Sequence, residues 1–175
     1  MDRILILGCG GAGKSTLAGQ LGDILGLPII HLDQGYWQPG WTPLSDDAWT
    51  QRVATIIQQK NWIMDGNYGS TLEMRLIRAE AVIFLDYPRR LCLWRVMKRI
   101  WRHKGRTRPD MAPGCTERWD WEFIRYIWGF RKRGRIRNYR MIREQGMLEK
   151  TVVLKRPGET KAFIEQVKAT GSIDV

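Results

Sequence analysis

The chain predicts an α/β fold in which a five-stranded parallel sheet is covered on both faces by helices. Three observations carry this reading. Short apolar runs alternate with longer stretches of helical periodicity, the pattern of repeated β-α-β units. The runs, such as Ile4-Leu5-Ile6-Leu7, are continuous rather than alternating, as strands buried on both faces require. The first run also passes through a glycine-rich turn directly into a helical stretch.

In chain order, strands are expected at 3–7, 28–32, 61–65, 80–86 and 151–155. Helices are expected at 14–25, 45–59, 88–102, 117–143 (broken near Gly129 or Gly134) and 158–169, with a short one at 70–78. In the 88–102 helix, Leu93, Met97 and Ile100 form the expected core stripe, and Phe123, Ile127 and Phe130 play that part after 117. Two segments rich in Gly and Pro resist the alternation, 33–44 and 103–116. Loops this long in a compact fold usually carry function, and ligands of open α/β sheets bind at the carboxyl ends of the strands. The first is read as an acceptor loop and the second as a lid.

The 175 residues suit a single domain spanning 1–175, and an apolar fraction of 43% supplies a core. No stretch reads as a signal peptide or a membrane span. Cys9, Cys92 and Cys115 have neither disulfide nor zinc spacing, which points to a reducing, cytoplasmic setting. Charge is uneven. Residues 87–143 hold 18 Lys and Arg against 4 Asp and Glu, a net of +14 in a chain totalling +11, so the remainder carries −3. Such a block suits a polyphosphate, a nucleic acid or plain solvent.

Gly8-Cys9-Gly10-Gly11-Ala12-Gly13-Lys14-Ser15 matches G-x-x-x-x-G-K-[ST] at every fixed position, between a strand and a helix. This is a P-loop. Its backbone N–H groups curl around phosphate oxygens at a helix N-terminus. Lys14 is expected to reach the β- and γ-phosphates, Ser15 to ligate Mg²⁺, and Thr16 to add a hydroxyl near the α-phosphate. ATP and Mg²⁺ are therefore the expected cofactors.

Asp33, Asp65 and Asp86 each end an apolar run, so a parallel sheet brings all three to one edge. Asp65 is expected to support the metal, directly or through water, because its strand should flank the P-loop strand; Asp86 is the competitor. Asp33 opens the acceptor loop and is placed to accept the proton of an attacking hydroxyl or to orient the acceptor. Trp37 and Trp41 either stack on a planar acceptor or pin their loop. Arg95, Arg99 and Arg102 line one helix face, and Arg118, Arg125 and Lys132 recur in steps of seven beyond the lid. From these, Arg99, Arg118 and Arg125 are expected to stabilise the transferring phosphoryl group. The dense run Arg131–Arg137, interleaved with aromatics, is also a candidate nucleic-acid surface.

The P-loop continuing into Thr16, His31-Leu32-Asp33, Gly35-Tyr36-Trp37, Pro39-Gly40-Trp41, Trp62 to Tyr68, Phe84 to Pro88, the pair Arg95/Arg99 and Arg118-Trp119-Asp120 together resemble adenylate kinase-like P-loop proteins. Within these the chain is most similar to the bacterial DNA topology modulation proteins. The resemblance implies a nucleotide-kinase sheet in the order 2-3-1-4-5, Arg95 against the adenine, Arg99 on phosphate and Arg118 as a catalytic arginine. Two departures stand out. No arginine follows Asp65-Gly66 closely, and 33–44 contains no Lys or Arg, so an anionic acceptor would need Arg52 or Arg75 as its cation. The lid also lacks a four-cysteine zinc pattern. The expected activity is phosphoryl transfer from ATP to a small-molecule acceptor, a nucleoside, a nucleotide or another hydroxyl compound, with the departures favouring a neutral, hydroxyl-bearing one, by an enzyme that is not a true adenylate kinase. The rival classes are a nucleic-acid-associated ATPase acting through 131–137 and a nucleotide-binding protein without acceptor chemistry. No membrane partner is expected.

Overall fold

In the computed structural model, five parallel strands form the central sheet: β1 (Arg3–Gly8), β2 (Ile29–His31), β5 (Trp62–Asp65), β6 (Ala81–Leu85) and β7 (Thr151–Leu154). Their spatial order is β2-β5-β1-β6-β7, which is 2-3-1-4-5 for the sheet strands alone. The model describes residues 1–173; the last two residues of the expected 1–175 domain lie outside the described residues. No described helix is long and apolar enough to cross a membrane. Every residue of β1 from Ile4 to Leu7 is fully buried, as are Trp62 to Met64 and Ala81 to Phe84. These are the continuous apolar runs of the sequence, and helices on both faces remove them from water.

Helix α1 (Lys14–Leu25) starts straight from the glycine turn and ends on Gly26 at φ 66°, a left-handed cap suited to glycine. Helix α3 (Asp46–Ile56) is capped by the Ser45 hydroxyl accepting from Ala48 N at 3.3 Å. Helices α4 (Leu72–Arg78), α5 (Arg89–His103) and α8 (Pro157–Thr170) fall where periodicity places them.

The structure corrects three expectations. The helix expected over 117–143 breaks between Gly129 and Gly134 as expected, into α6 (Trp121–Phe130) and α7 (Gly134–Glu144), but it begins four residues later than expected. It starts late because the Asp120 carboxylate accepts from Glu122 N and Phe123 N at 2.8 and 3.0 Å, which caps α6. The acceptor loop is not irregular throughout; it holds the short helix α2 (Leu32–Tyr36) and a hairpin of β3 (Trp37–Gln38) and β4 (Thr42–Pro43). Elements this short show no period in a sequence. Finally, α5 buries Cys92, Val96 and Ile100, while Met97 is 43% exposed. Of the expected stripe, Ile100 is buried and Leu93 packs against the core, while Cys92 and Val96 take the places next to Leu93 and Met97 as the fully buried positions.

Candidate active site

The carboxyl ends of β1, β2 and β5 open into one cavity of roughly 1270 Å³. Gly10 to Leu17 form one wall and Asp33, Asp65 and Gly66 to Gly69 another. Arg95, Arg99, Arg108, Arg118 and Arg137 line it together with Lys14, Lys161 and Lys168.

The P-loop wall is built mostly from its own backbone. Gly11 has φ +80°, and a Cβ there would lie 2.5 Å from the Cys92 carbonyl oxygen, so the loop can lie against α5 only with glycine. Gly13 ends the loop in a left-handed conformation, and α1 begins at Lys14 with no acidic residue in its first turn. That leaves helix N–H groups and positive dipole facing the cavity. Lys14 Nζ donates to the Gly8 and Cys9 carbonyls at 3.1 and 3.2 Å. Ser15 and Thr16 line the cavity, whereas Gly8 sits below it at the end of β1. Gly8 is held by Asn67, whose Oδ1 accepts from Gly8 N (3.3 Å) and whose Nδ2 donates to Gly8 O (2.7 Å).

Asp65 is buried and lines the cavity. The register pairs it with His31 across β2 and β5, and His31 Nδ1 lies 2.9 Å from its Oδ1. This hydrogen bond raises the imidazole pKa despite burial. Oδ2 has no protein partner among the described residues. Asp86 is placed differently: both its oxygens accept from Arg135 Nε, at 2.8 and 2.9 Å, and it does not line the cavity. Arg135 is thus an internal ion-pair partner, and Arg137 turns into the cavity, so the run 131–137 is divided by the fold.

Asp33 sits at the start of α2 and accepts a hydrogen bond of 2.5 Å from the Tyr68 hydroxyl. Burial raises the carboxyl above its usual range, against the lowering effect of that bond. Burial also raises the Tyr68 hydroxyl, and Asp33 adds to the rise. The loop carrying Tyr68 is clamped from below by Arg75. This fully buried guanidinium donates to the carbonyls of Gly66 (3.0 Å), Asn67 (2.6 Å), Tyr68 (2.7 Å) and Thr71 (3.2 Å). With no carboxylate beside it among the described residues, burial depresses its pKa to about 9.

The lid and the acceptor hairpin close on each other. Trp41 Nε1 donates to Thr116 O at 3.0 Å, Gln34 Nε2 to Pro109 O at 2.6 Å, and Gly40 N to Gly114 O at 3.2 Å. Trp37 and Trp41 pack on Met111, Ala112 and Cys115 while also lining the cavity, so they pin the hairpin to the lid rather than to the main core. Beneath the lid, buried Glu117 pairs with Arg99 (2.9 Å) and Arg108 (2.9 Å), and Arg108 also reaches Asp110 (2.7 Å). Arg95 donates to Ala12 O at 2.9 Å, and Arg118 lies 5.7 Å from the Trp41 ring centroid. Arg125 is exposed on α6 and outside the cavity. Arg52 is exposed beside Gly35 and also outside it. The sequence alone assigned no site role to Tyr68, Asn67, Arg108 or Glu117, and took Arg137 only as part of the candidate nucleic-acid run, because their contacts are made by the fold rather than by neighbours in the chain.

Neither a protein-family model nor a curated protein sequence matches the chain. Solved structures do. Shikimate kinase from Acinetobacter baumannii, in complex with shikimate, superposes with a TM-score of 0.55 at 17% identity, covering 95% of this chain and 90% of its own. Deoxyadenosine kinase from M. mycoides with products bound gives 0.53 at 15%, covering 95% and 96%. A gluconokinase from Sinorhizobium meliloti gives 0.52 at 15%, covering 96% and 94%. Identities this low establish the architecture: the chain has the α/β fold of the P-loop kinases, with five parallel strands flanked by helices.

Proposed function

We propose that this chain is a Mg-ATP-dependent phosphotransferase that moves the γ-phosphoryl group of ATP to a hydroxyl of a small-molecule acceptor. The observation that carries this reading is a single cavity shared by the P-loop and the Asp33–Tyr68 pair. Its roughly 1270 Å³ exceeds the about 300–1,000 Å³ of a typical single-ligand pocket, leaving room for nucleotide and acceptor together.

The residues fit the cofactors. The Gly11 contact that admits no Cβ and the unopposed N-terminus of α1 suit phosphate oxygens. Ser15 Oγ and the free oxygen of Asp65 suit Mg²⁺, which usually keeps only one or two protein ligands beside phosphate and water. Bound there, Mg²⁺ neutralises charge on the β- and γ-phosphate oxygens. In this reading Lys14 leaves its carbonyl contacts for the phosphates, and Arg95 holds the nucleotide side of the P-loop. Arg99 and Arg118 stabilise the equatorial oxygens in the transition state, with Arg125 a contributor only if α6 shifts. Asp33 accepts the acceptor's hydroxyl proton as that oxygen bonds to phosphorus and the bond to the β-phosphate oxygen breaks. The matched structures are kinases, which supports the same class.

The test is a transfer screen with γ-labelled ATP and Mg²⁺ over nucleosides, nucleotides and small hydroxylated metabolites, with Lys14→Ala as control. Label on one acceptor, lost in the control, is the expected result. ATP hydrolysis without transfer, stimulated by DNA, would instead support the nucleic-acid-associated ATPase.

A further inference from the structure

We propose that Arg137 is the anion receptor of the acceptor subsite, so that the phosphoryl acceptor is a hydroxyl compound that also carries a carboxylate or phosphate group. This rests on the kinase reading and narrows it. The lack of Lys and Arg in 33–44 and just after Asp65 favours a neutral acceptor unless Arg52 or Arg75 substitutes, and neither does: Arg52 lies outside the cavity and Arg75 is spent on backbone carbonyls. The fold supplies the cation from α7, more than sixty residues further along the chain.

Arg137 lines the cavity, and its guanidinium lies over Gly69, where a Cβ would run into it. Gly69 follows Tyr68, whose hydroxyl holds the Asp33 carboxylate. The guanidinium therefore touches the loop one residue beyond the tyrosine that holds the general base. An acceptor bridging them would place its anionic end on Arg137 and its hydroxyl on Asp33, which orients it for attack.

Most other cations of the cavity are engaged; on α8, Lys168 pairs with Glu165, while Lys161 lines the cavity with no ion pair among the described residues. Lys14 and Arg95 donate to P-loop carbonyls, Arg99 and Arg108 share Glu117, and Arg118 lies on Trp41 at the hairpin. Arg137 has no carboxylate partner among the described residues. Arg75 lies below the same loop, also without a carboxylate, and the charge of Arg137 adds to the depression of its pKa. Two guanidiniums facing one loop with no anion between them make a positive potential that a ligand anion relieves. The planar fork of Arg137 matches carboxylate and phosphate oxygens alike.

Matched acceptors decide the matter: AMP with adenosine, dCMP with deoxycytidine, shikimate with its methyl ester, and gluconate with glucose. Each pair is assayed for transfer with the wild type and with Arg137→Gln, which changes an exposed residue of α7. The same compounds are titrated calorimetrically into both proteins saturated with Mg²⁺ and a non-hydrolysable ATP analogue. The expected result is preference for a charged member, with its KM and dissociation constant rising about 10- to 100-fold in Arg137→Gln and kcat changing far less. The nucleotide pairs and the carboxylate pairs separate the two anions. Preference for neutral members, equal losses for both members of a pair, or no binding by any anionic member would overturn the proposal while leaving transfer intact. Charge-selective binding lost in Arg137→Gln but without transfer would uphold the subsite and reject the kinase reading.

Discussion

The two walls of the cavity are made in opposite ways. The phosphate wall is local: eight consecutive residues and the start of α1 form it, and backbone groups do most of the contacting. The acceptor wall is assembled from afar. Asp33 meets Tyr68, Arg99 meets Glu117, and the Arg137 side chain meets Gly69, each a contact between residues well separated in the chain. A wall made of backbone is set by the order of glycines along the chain. A wall made of side chains exists only once the sheet has set the register, and it holds the groups that would distinguish one acceptor from another.

The contrast predicts unequal consequences of mutation. The largest should follow Lys14→Ala, which removes the one side-chain charge of the local wall; kcat/KM for transfer should fall by about 10³-fold, with the thermal midpoint nearly unchanged. Normal transfer by this variant would remove the P-loop from the chemistry.

Asp33→Asn tests the assembled wall at its reactive group. Transfer should fall by about 10²- to 10³-fold. Stability should move the other way. Burial holds the folded carboxyl above its unfolded value, so the folded chain retains the proton longer. Stability contributed by this group is therefore lost as pH rises from about 4 through the folded pKa, and the loss persists at neutral pH. Asp33→Asn should raise the midpoint at pH 7 and leave it unchanged below about pH 4. A midpoint gain that is the same at both pH values would show that the carboxyl's ionisation is not the cause.

Arg75→Met probes the floor of the acceptor wall. It strips donors from the carbonyls of Gly66, Asn67 and Tyr68, and should cost about 2–4 kcal/mol in denaturant unfolding. A variant as stable as the wild type would mean that the loop satisfies these carbonyls without the guanidinium. The smallest effect is expected from Glu117→Gln, which frees Arg99 and Arg108. The lid should open, cutting by protease within 104–116 should quicken, and KM for ATP should rise by about 10-fold or less. Loss of transfer as severe as in Lys14→Ala would erase the distinction between the walls.

How much of this was legible follows the same division. β1, the glycine turn and α1 were readable because a buried parallel strand, a phosphate turn and a helix start each leave a continuous local mark. The sheet strands matched within about two residues at each end, since burial on both faces imposes unbroken apolarity. α2 and the β3–β4 hairpin were not readable, being too short to show a period. The α5 stripe was partly misread, because arginines flank its buried side and Cys92, a small and weakly hydrophobic residue, holds part of it.

By itself, then, the sequence determined the sheet, the P-loop and the gathering of Asp33 and Asp65 at one edge, because strand polarity and glycine placement act over a few residues. Only the tertiary structure decided which cations face the cavity. Arg75 and Arg137 look alike along the chain, yet one is buried against four carbonyls and the other lines the acceptor side. An arginine's reach is long and its partner is whatever acceptor the fold delivers, so its role is a property of packing and not of its neighbours in sequence.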